Sequence, residues 1–171
     1  MNRIESIPEF EKLTHYKEYD PYEGGYRYRY VTLKEIEFRV LYPLIPRGQK
    51  IIFKDKKGGV WMTMTPYKIT ISKDYAWDGC TPKRWWGIWW GTPDFESTIL
   101  ASLLHDVLLQ FYTTKHFPLS RYEIDNFFKY ILEEHDFILS KIYYYGVRSW
   151  STISPAEDYN VKSELTTIPK D

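Results

Sequence analysis

The spacing of hydrophobic and polar positions changes period partway along the chain. Tyr26, Tyr28 and Tyr30 alternate with Arg27 and Arg29. Glu35-Ile36-Glu37-Phe38-Arg39-Val40 repeats the alternation until Pro43 and Pro46 end it. A period of two puts one set of side chains on each face of a strand. Lys50-Ile51-Ile52-Phe53-Lys54, Asp55-Lys56-Lys57-Gly58-Gly59 and Val60-Trp61-Met62-Thr63-Met64 read as strand, turn and returning strand. The glycines of that turn can take positive φ. Lys68-Ile69-Thr70-Ile71-Ser72 is a further strand. The pattern predicts an antiparallel sheet of about four or five strands.

Beyond residue 95 the period becomes helical. The run from Ile99 to Phe111 contains no Pro or Gly, and three helices are expected, over about 95–112, 120–135 and 137–150. The second has a written start: Ser120 with Glu123 three residues on is a capping box, and Leu119 can pack on Ile124 as a hydrophobic staple. In the third, Ile138, Ile142, Tyr145 and Trp150 are the residues available for burial. Between sheet and helices, Gly79, Pro82, Gly87, Gly91 and Pro93 predict a loop over 77–95. It carries Trp77, Trp85, Trp86, Trp89 and Trp90, which fit either an aromatic lid on the helices or an apolar, ligand-facing surface. Residues 1–25 read as an irregular arm broken by Pro8, Pro21 and Gly24-Gly25. Residues 151–171 read as a polar tail, loose on the surface or disordered. The expected architecture is therefore α+β: one domain over 26–150, an N-terminal antiparallel sheet, a Trp-rich loop, then three helices.

Composition narrows the function classes. The 171 residues hold 23 basic and 23 acidic side chains, a balance that argues against a general nucleic-acid binder, which needs a basic surplus. The single cysteine, Cys80, excludes an internal disulfide and reads as a packed small residue rather than a nucleophile. The first residues contain no apolar stretch of the kind a cleaved signal needs. The longest apolar run is about half of what a bilayer requires, so no transmembrane segment is expected. Aromatic residues make up 19%, with 16 Tyr and 7 Trp, which suits a bulky core or a binding surface.

The candidate chemistry sits inside the apolar helix, where His105 and Asp106 are neighbours. Burying an unpaired charge costs several kcal/mol, roughly, so the pair needs partners or a job. At 3.6 residues per turn, Leu100, Leu104, Val107 and Phe111 form the most apolar side, and Asp106 shares the most polar stripe with Ser102 and Gln110. His105 lies between, where a second helix would pack. On that second helix Asp125 shares a face with Arg121, Phe128 and Leu132. The short link from Thr113 to Leu119 makes the two helices antiparallel neighbours, and the levels of His105 and Asp125 then match. A carboxylate on one ring nitrogen fixes the tautomer and leaves the other as a base or ligand. Asp106 is expected to face the loop with Asp78 and Asp94, where Asp106 and Asp78 could hold a divalent ion, Ca²⁺ or Zn²⁺. The same residues also fit a plain brace between helices, with Asp125 favoured by the helix dipole. His15, His116 and His135 read as surface residues, and Asp74/Asp78 and Glu133/Glu134 as solvated charges.

Tyr75-Ala76-Trp77-Asp78-Gly79-Cys80-Thr81-Pro82-Lys83, Gly91-Thr92-Pro93-Asp94 and Ala101-Ser102-Leu103-Leu104-His105-Asp106 resemble the DUF1353 family of small phage and prophage proteins. Ser120-Arg121-Tyr122-Glu123-Ile124-Asp125-Asn126-Phe127-Phe128 and Tyr143-Tyr144-Tyr145-Gly146-Val147-Arg148 are similar to later segments of that family. The resemblance covers about residues 50–150, and Leu109 stands where the family pattern has Tyr. It implies a phage-encoded protein of unknown function, in the host-cell cytoplasm or associated with the virion. The His-Asp pair and the Asp some twenty residues later are also similar to the phospholipase A2 helix pair. That likeness implies His105 as base, Asp106 as metal ligand and Asp125 as orienter, hence a metal-assisted hydrolase. The alternative is a non-enzymatic protein whose aromatic loop binds a small molecule or a host or virion protein.

Overall fold

A computed structural model of the chain describes residues 4–6, 16–18, 30–77, 79–80, 96–153 and 161–168. The elements run β1 (Ile4–Ser6), β2 (Tyr16–Glu18), β3 (Tyr30–Thr32), β4 (Ile36–Val40), β5 (Gln49–Lys54), β6 (Val60–Thr65), β7 (Lys68–Ile71) and β8 (Ala76–Trp77). They are followed by α1 (Glu96–Phe111), α2 (Arg121–Glu134), α3 (Ser140–Ile153) and β9 (Lys162–Thr167). The class is α+β, with strands preceding helices. Five strands start between residues 26 and 72, and they are shared between two sheets. One has the order β1-β4-β7-β6-β5-β9, the other β2-β3-β8, and all pairings are antiparallel.

Alternation dictates the larger sheet. Phe38 pairs with Ile69, Ile36 and Met62 with Ile71, Met64 with Ile51 and Ile69, and Phe53 with Met62. All of these side chains are buried. The residues between them, such as Glu37, Lys68, Thr63 and Lys50, belong to the other face. Each fully buried side chain of this kind contributes about 1.5–3 kcal/mol. A one-residue slip would turn the whole set outward, so the register is strongly held. The β5–β6 turn is clasped by Asp55. Its Oδ1 accepts from the backbone N–H of Lys57 and Gly59, and its Oδ2 accepts from the Trp61 indole at 3.0 Å. Gly58 takes φ 88° there.

Helix α1 lies between this sheet and α2. Phe111 meets Phe53 at 5.2 Å between ring centroids, while Leu104, Val107 and Leu108 are fully buried. That position explains why α1 is apolar nearly all round. Helix α2 starts with the expected capping box: Ser120 Oγ accepts from Glu123 N, and the Glu123 carboxylate accepts from Ser120 N.

Three expectations change, and a fourth falls mostly outside the described residues. Residues 4–6 and 16–18 of the N-terminal arm are strands. Most of the Tyr26–Tyr30 alternation lies outside the described residues. The expected polar tail contributes β9, which pairs with β5 from Gln49↔Thr167 to Lys54↔Lys162. Glu164 receives the Lys54 ammonium at 2.7 Å. The stripe nominated for burial on the third helix is open instead: Ile142 is 65% and Tyr145 66% exposed, and Ile138, in the turn before α3, is 95% exposed. It is Tyr143 that is buried. The side chain of Trp150 lies outside the described residues.

Candidate functional site

The expected meeting of α1 and α2 occurs. His105 Nε2 lies 3.1 Å from Asp125 Oδ1. A carboxylate has no proton to give, so Nε2–H donates and the tautomer is fixed. The ring is 7% exposed and packs against Phe128 at 5.2 Å between centroids. The other nitrogen, Nδ1, lies 3.8 Å from Asp106 Oδ1, beyond hydrogen-bond range. His105 is thus flanked by a carboxylate on each side, one buried and one at the rim.

Asp125 is 0% exposed and is surrounded by positive groups from all three helices. Arg121 Nε, one turn earlier on α2, stands 3.4 Å from Oδ1 without meeting hydrogen-bond geometry. Arg148 of α3 donates to Oδ2 at 3.3 Å, and its guanidinium lies 5.4 Å from the centre of the Tyr122 ring. The arrangement is one buried carboxylate gripped by His105, Arg121 and Arg148. Desolvation alone would push the Asp125 carboxyl up. The hydrogen bond and charge of His105, helped by Arg121 and Arg148, outweigh it and hold the carboxyl below its ordinary value. For His105, burial pulls the imidazolium down, but the Asp106 and Asp125 carboxylates prevail and its pKa is raised.

Asp106 lies on the polar stripe of α1, as spacing predicts, and that stripe faces the strand ending at Trp77. One turn before it, Ser102 Oγ accepts from the Trp77 indole at 3.2 Å. One turn after it, Gln110 accepts from the Tyr75 hydroxyl at 2.8 Å. This makes Trp77 a correction: expected as a ligand-facing aromatic, it is 2% exposed and pairs with Tyr30 at 5.3 Å between rings. Asp78, Asp94, Trp85, Trp86, Trp89 and Trp90 lie outside the described residues. Among the described residues no group of three or more His, Cys, Asp or Glu side chains is placed to hold a metal ion. Ca²⁺ takes six to eight oxygens and Zn²⁺ usually four ligands, so the cation expected at Asp106 has no cage within them.

Cys80 is half-buried, its thiol donating to the Thr98 carbonyl at 3.5 Å, which fits a packing residue. Leu109, at the position of the family tyrosine, is partly buried against the core. The residue that spacing did not assign is Arg148. The signal was the Val147-Arg148 pair within an amphipathic helix, but its target follows only from how α3 crosses α2. No helix among the described residues is long and apolar enough to cross a membrane. No protein-family model, curated protein or solved structure matches the chain.

Proposed function

We propose that His105, Asp106 and Asp125 form a hydrolase-type centre in a phage- or prophage-encoded protein of the DUF1353 kind. The observation that carries this reading is the 3.1 Å contact between His105 Nε2 and Asp125 across the antiparallel helix pair. It commits one nitrogen to a buried carboxylate and leaves Nδ1 on the Asp106 side, where the surface begins. In this role Nδ1 takes the proton of an attacking water, the imidazolium is stabilised by the carboxylates beside it, and the proton passes on to the leaving group. Asp125 is a positioning residue. Asp106 tunes the ring and borders the space a substrate would enter.

The test is hydrolysis of fluorogenic short-chain esters and of phospholipid vesicles, each with and without Ca²⁺ or Zn²⁺. Activity should fall by about 100-fold or more in His105→Gln, the usual range for losing a general base. As the raised pKa of His105 requires, activity should rise with pH through a value above 6.5. Asp106→Asn should move that value down. Turnover by folded His105→Gln equal to wild type would exclude this centre.

A second reading rests on a different observation: Asp125 is fully buried and gripped from three helices. In that reading the cluster is a brace, and the protein is a non-enzymatic binder of a small molecule or of a host or virion protein through its Trp-rich loop. It requires no turnover with any ester, together with a large drop in melting temperature for Asp125→Asn.

A further inference from the structure

The face of the larger sheet turned away from α1 carries a trough. Met62, Met64, Ile69 and Ile71 are buried on the core side, so the alternation sends Thr63, Thr65, Thr70 and Ser72 to the other face. Thr63 stands opposite Thr70, and Thr65 opposite Lys68. These short side chains lie on the two middle strands of the run β4-β7-β6-β5. Longer ones rise around them: Glu35 just before β4, Val60 at the start of β6, Lys68 of β7 and Lys50 of β5. Together they line an open cavity of about 250 Å³. Thr65 donates to the Lys68 carbonyl, and the Lys68 ammonium is held by Glu37. The hydroxyls of Thr63, Thr70 and Ser72 have no hydrogen-bond partner among the described residues. Thr70 is 8% exposed, and the trough is the space it lines. Lys50 and Glu35 have no ion-pair partner among the described residues either. They stand on the two outer strands of the run, three strand spacings or about 14 Å apart at the backbone.

We propose that this trough binds a hydroxylated anion of monosaccharide size, a sugar phosphate or sugar acid, with its anionic group on Lys50 and its hydroxyls over Thr63, Thr70 and Ser72. The order of groups carries the reading: a cation, a hydroxyl floor, then an anion. A sugar hydroxyl both donates and accepts, as a Thr or Ser hydroxyl does, so the floor can meet it in either sense. It thereby replaces ordered water bond for bond, the condition for gaining affinity from a polar surface. Lys50 supplies a charge-assisted donor for the oxyanion. Glu35 accepts from hydroxyls at the far end and repels a second anionic group there, which fixes the direction of the ligand. The cavity falls below the roughly 300–1,000 Å³ of drug-sized pockets, which limits the ligand to about one sugar ring. The trough lies across the sheet from α1 and His105, so it is separate from the helix centre.

Isothermal titration calorimetry of the full chain tests this. The probes are the 6-phosphates of glucose, galactose and mannose, then glucuronate, glucose and inorganic phosphate. At least one sugar anion should bind with a Kd below about 1 mM, and at least about tenfold more tightly than glucose or phosphate alone. The sugar phosphates against glucuronate separate the two kinds of anionic group. Lys50→Gln should weaken that binding by about tenfold or more, as expected for a charge-assisted bond. Thr70→Val keeps the shape and removes the hydroxyl, and should weaken it by roughly three- to tenfold. Glu35→Ala should weaken the sugar anion and leave inorganic phosphate unchanged. Lys50 and Glu35 stand at the rim, so their variants read binding even where Thr70→Val disturbs the sheet, and each should melt within a few degrees of wild type. Binding of no sugar anion would overturn the proposal. So would phosphate alone binding as tightly, or an affinity unchanged in both Lys50→Gln and Glu35→Ala.

Discussion

Asp125 joins all three helices through one side chain, meeting His105, Arg121 and Arg148. A carboxylate with no exposed surface is tolerable only because its charge is matched on the spot. Removing it leaves the buried His105 without its carboxylate partner, so Asp125→Ala should cost about 3–5 kcal/mol, the usual loss for one partner of a buried ion pair. Urea unfolding would measure it. The pH dependence has two limbs. His105 has a raised pKa, so its contribution is complete below the ordinary value of 6.5 and is lost as pH rises through the folded value. Asp125 has a lowered pKa, so its contribution is present above 3.8 and is lost as pH falls through the folded value. The stability difference between wild type and His105→Gln should therefore be largest between about pH 4 and 6.5 and shrink on both sides. A flat difference from pH 4 to 9 would contradict the assigned environments. The His105–Asp125 contact was legible in the sequence, because helical spacing and a short link fix both levels. Arg148 was not: its reach depends on the α2–α3 crossing, and no periodicity encodes that angle.

At the scale of elements, the stretches with strong local grammar were the readable ones. The β5–β6 hairpin follows from alternation and a glycine turn, and α2 from its capping box. Replacing Ser120 with Ala removes the acceptor for Glu123 N and should lower stability by about 1 kcal/mol. A melting curve unchanged in Ser120→Ala would show that tertiary packing alone holds that end. Helix α3 shows where the grammar stops. Its apolar stripe was correctly found and wrongly assigned to the core, since a moment says which face is apolar and not what covers it. Strand β9 was missed for the opposite reason. Lys162-Ser163-Glu164-Leu165-Thr166-Thr167 has almost no apolar alternation, because it is an exposed edge, held mainly by backbone pairing and the Lys54–Glu164 ion pair.

For the molecule as a whole, that edge matters more than its exposure suggests. β9 covers one side of β5, whose Ile51 and Phe53 belong to the core. Its Ser163 hydroxyl also accepts from the His116 backbone, tying the α1–α2 link to the sheet. Truncation after Val161 would remove six cross-strand pairs, on the order of 2 kcal/mol at a few tenths each. It would also bare the Lys50-Ile51-Ile52-Phe53-Lys54 edge to other chains. The expected outcome is a folded protein with a lower melting temperature and concentration-dependent aggregation, read by light scattering during heating. The class and the order of sheet and helices could be read ahead of the structure. The division into two sheets could not, because it rests on long-range partners such as β3 with β8.

The β5–β9 pairing also sets a timetable. Lys54 and Glu164 are 110 residues apart in the chain, so during synthesis β5 leaves the ribosome several seconds ahead of its outer neighbour, at roughly 5–20 residues per second. Through that interval the hairpin and its apolar face exist with one side open. A nascent chain paused before residue 162 should be the species that chaperones hold, and release should follow the emergence of a strand that adds little to the core.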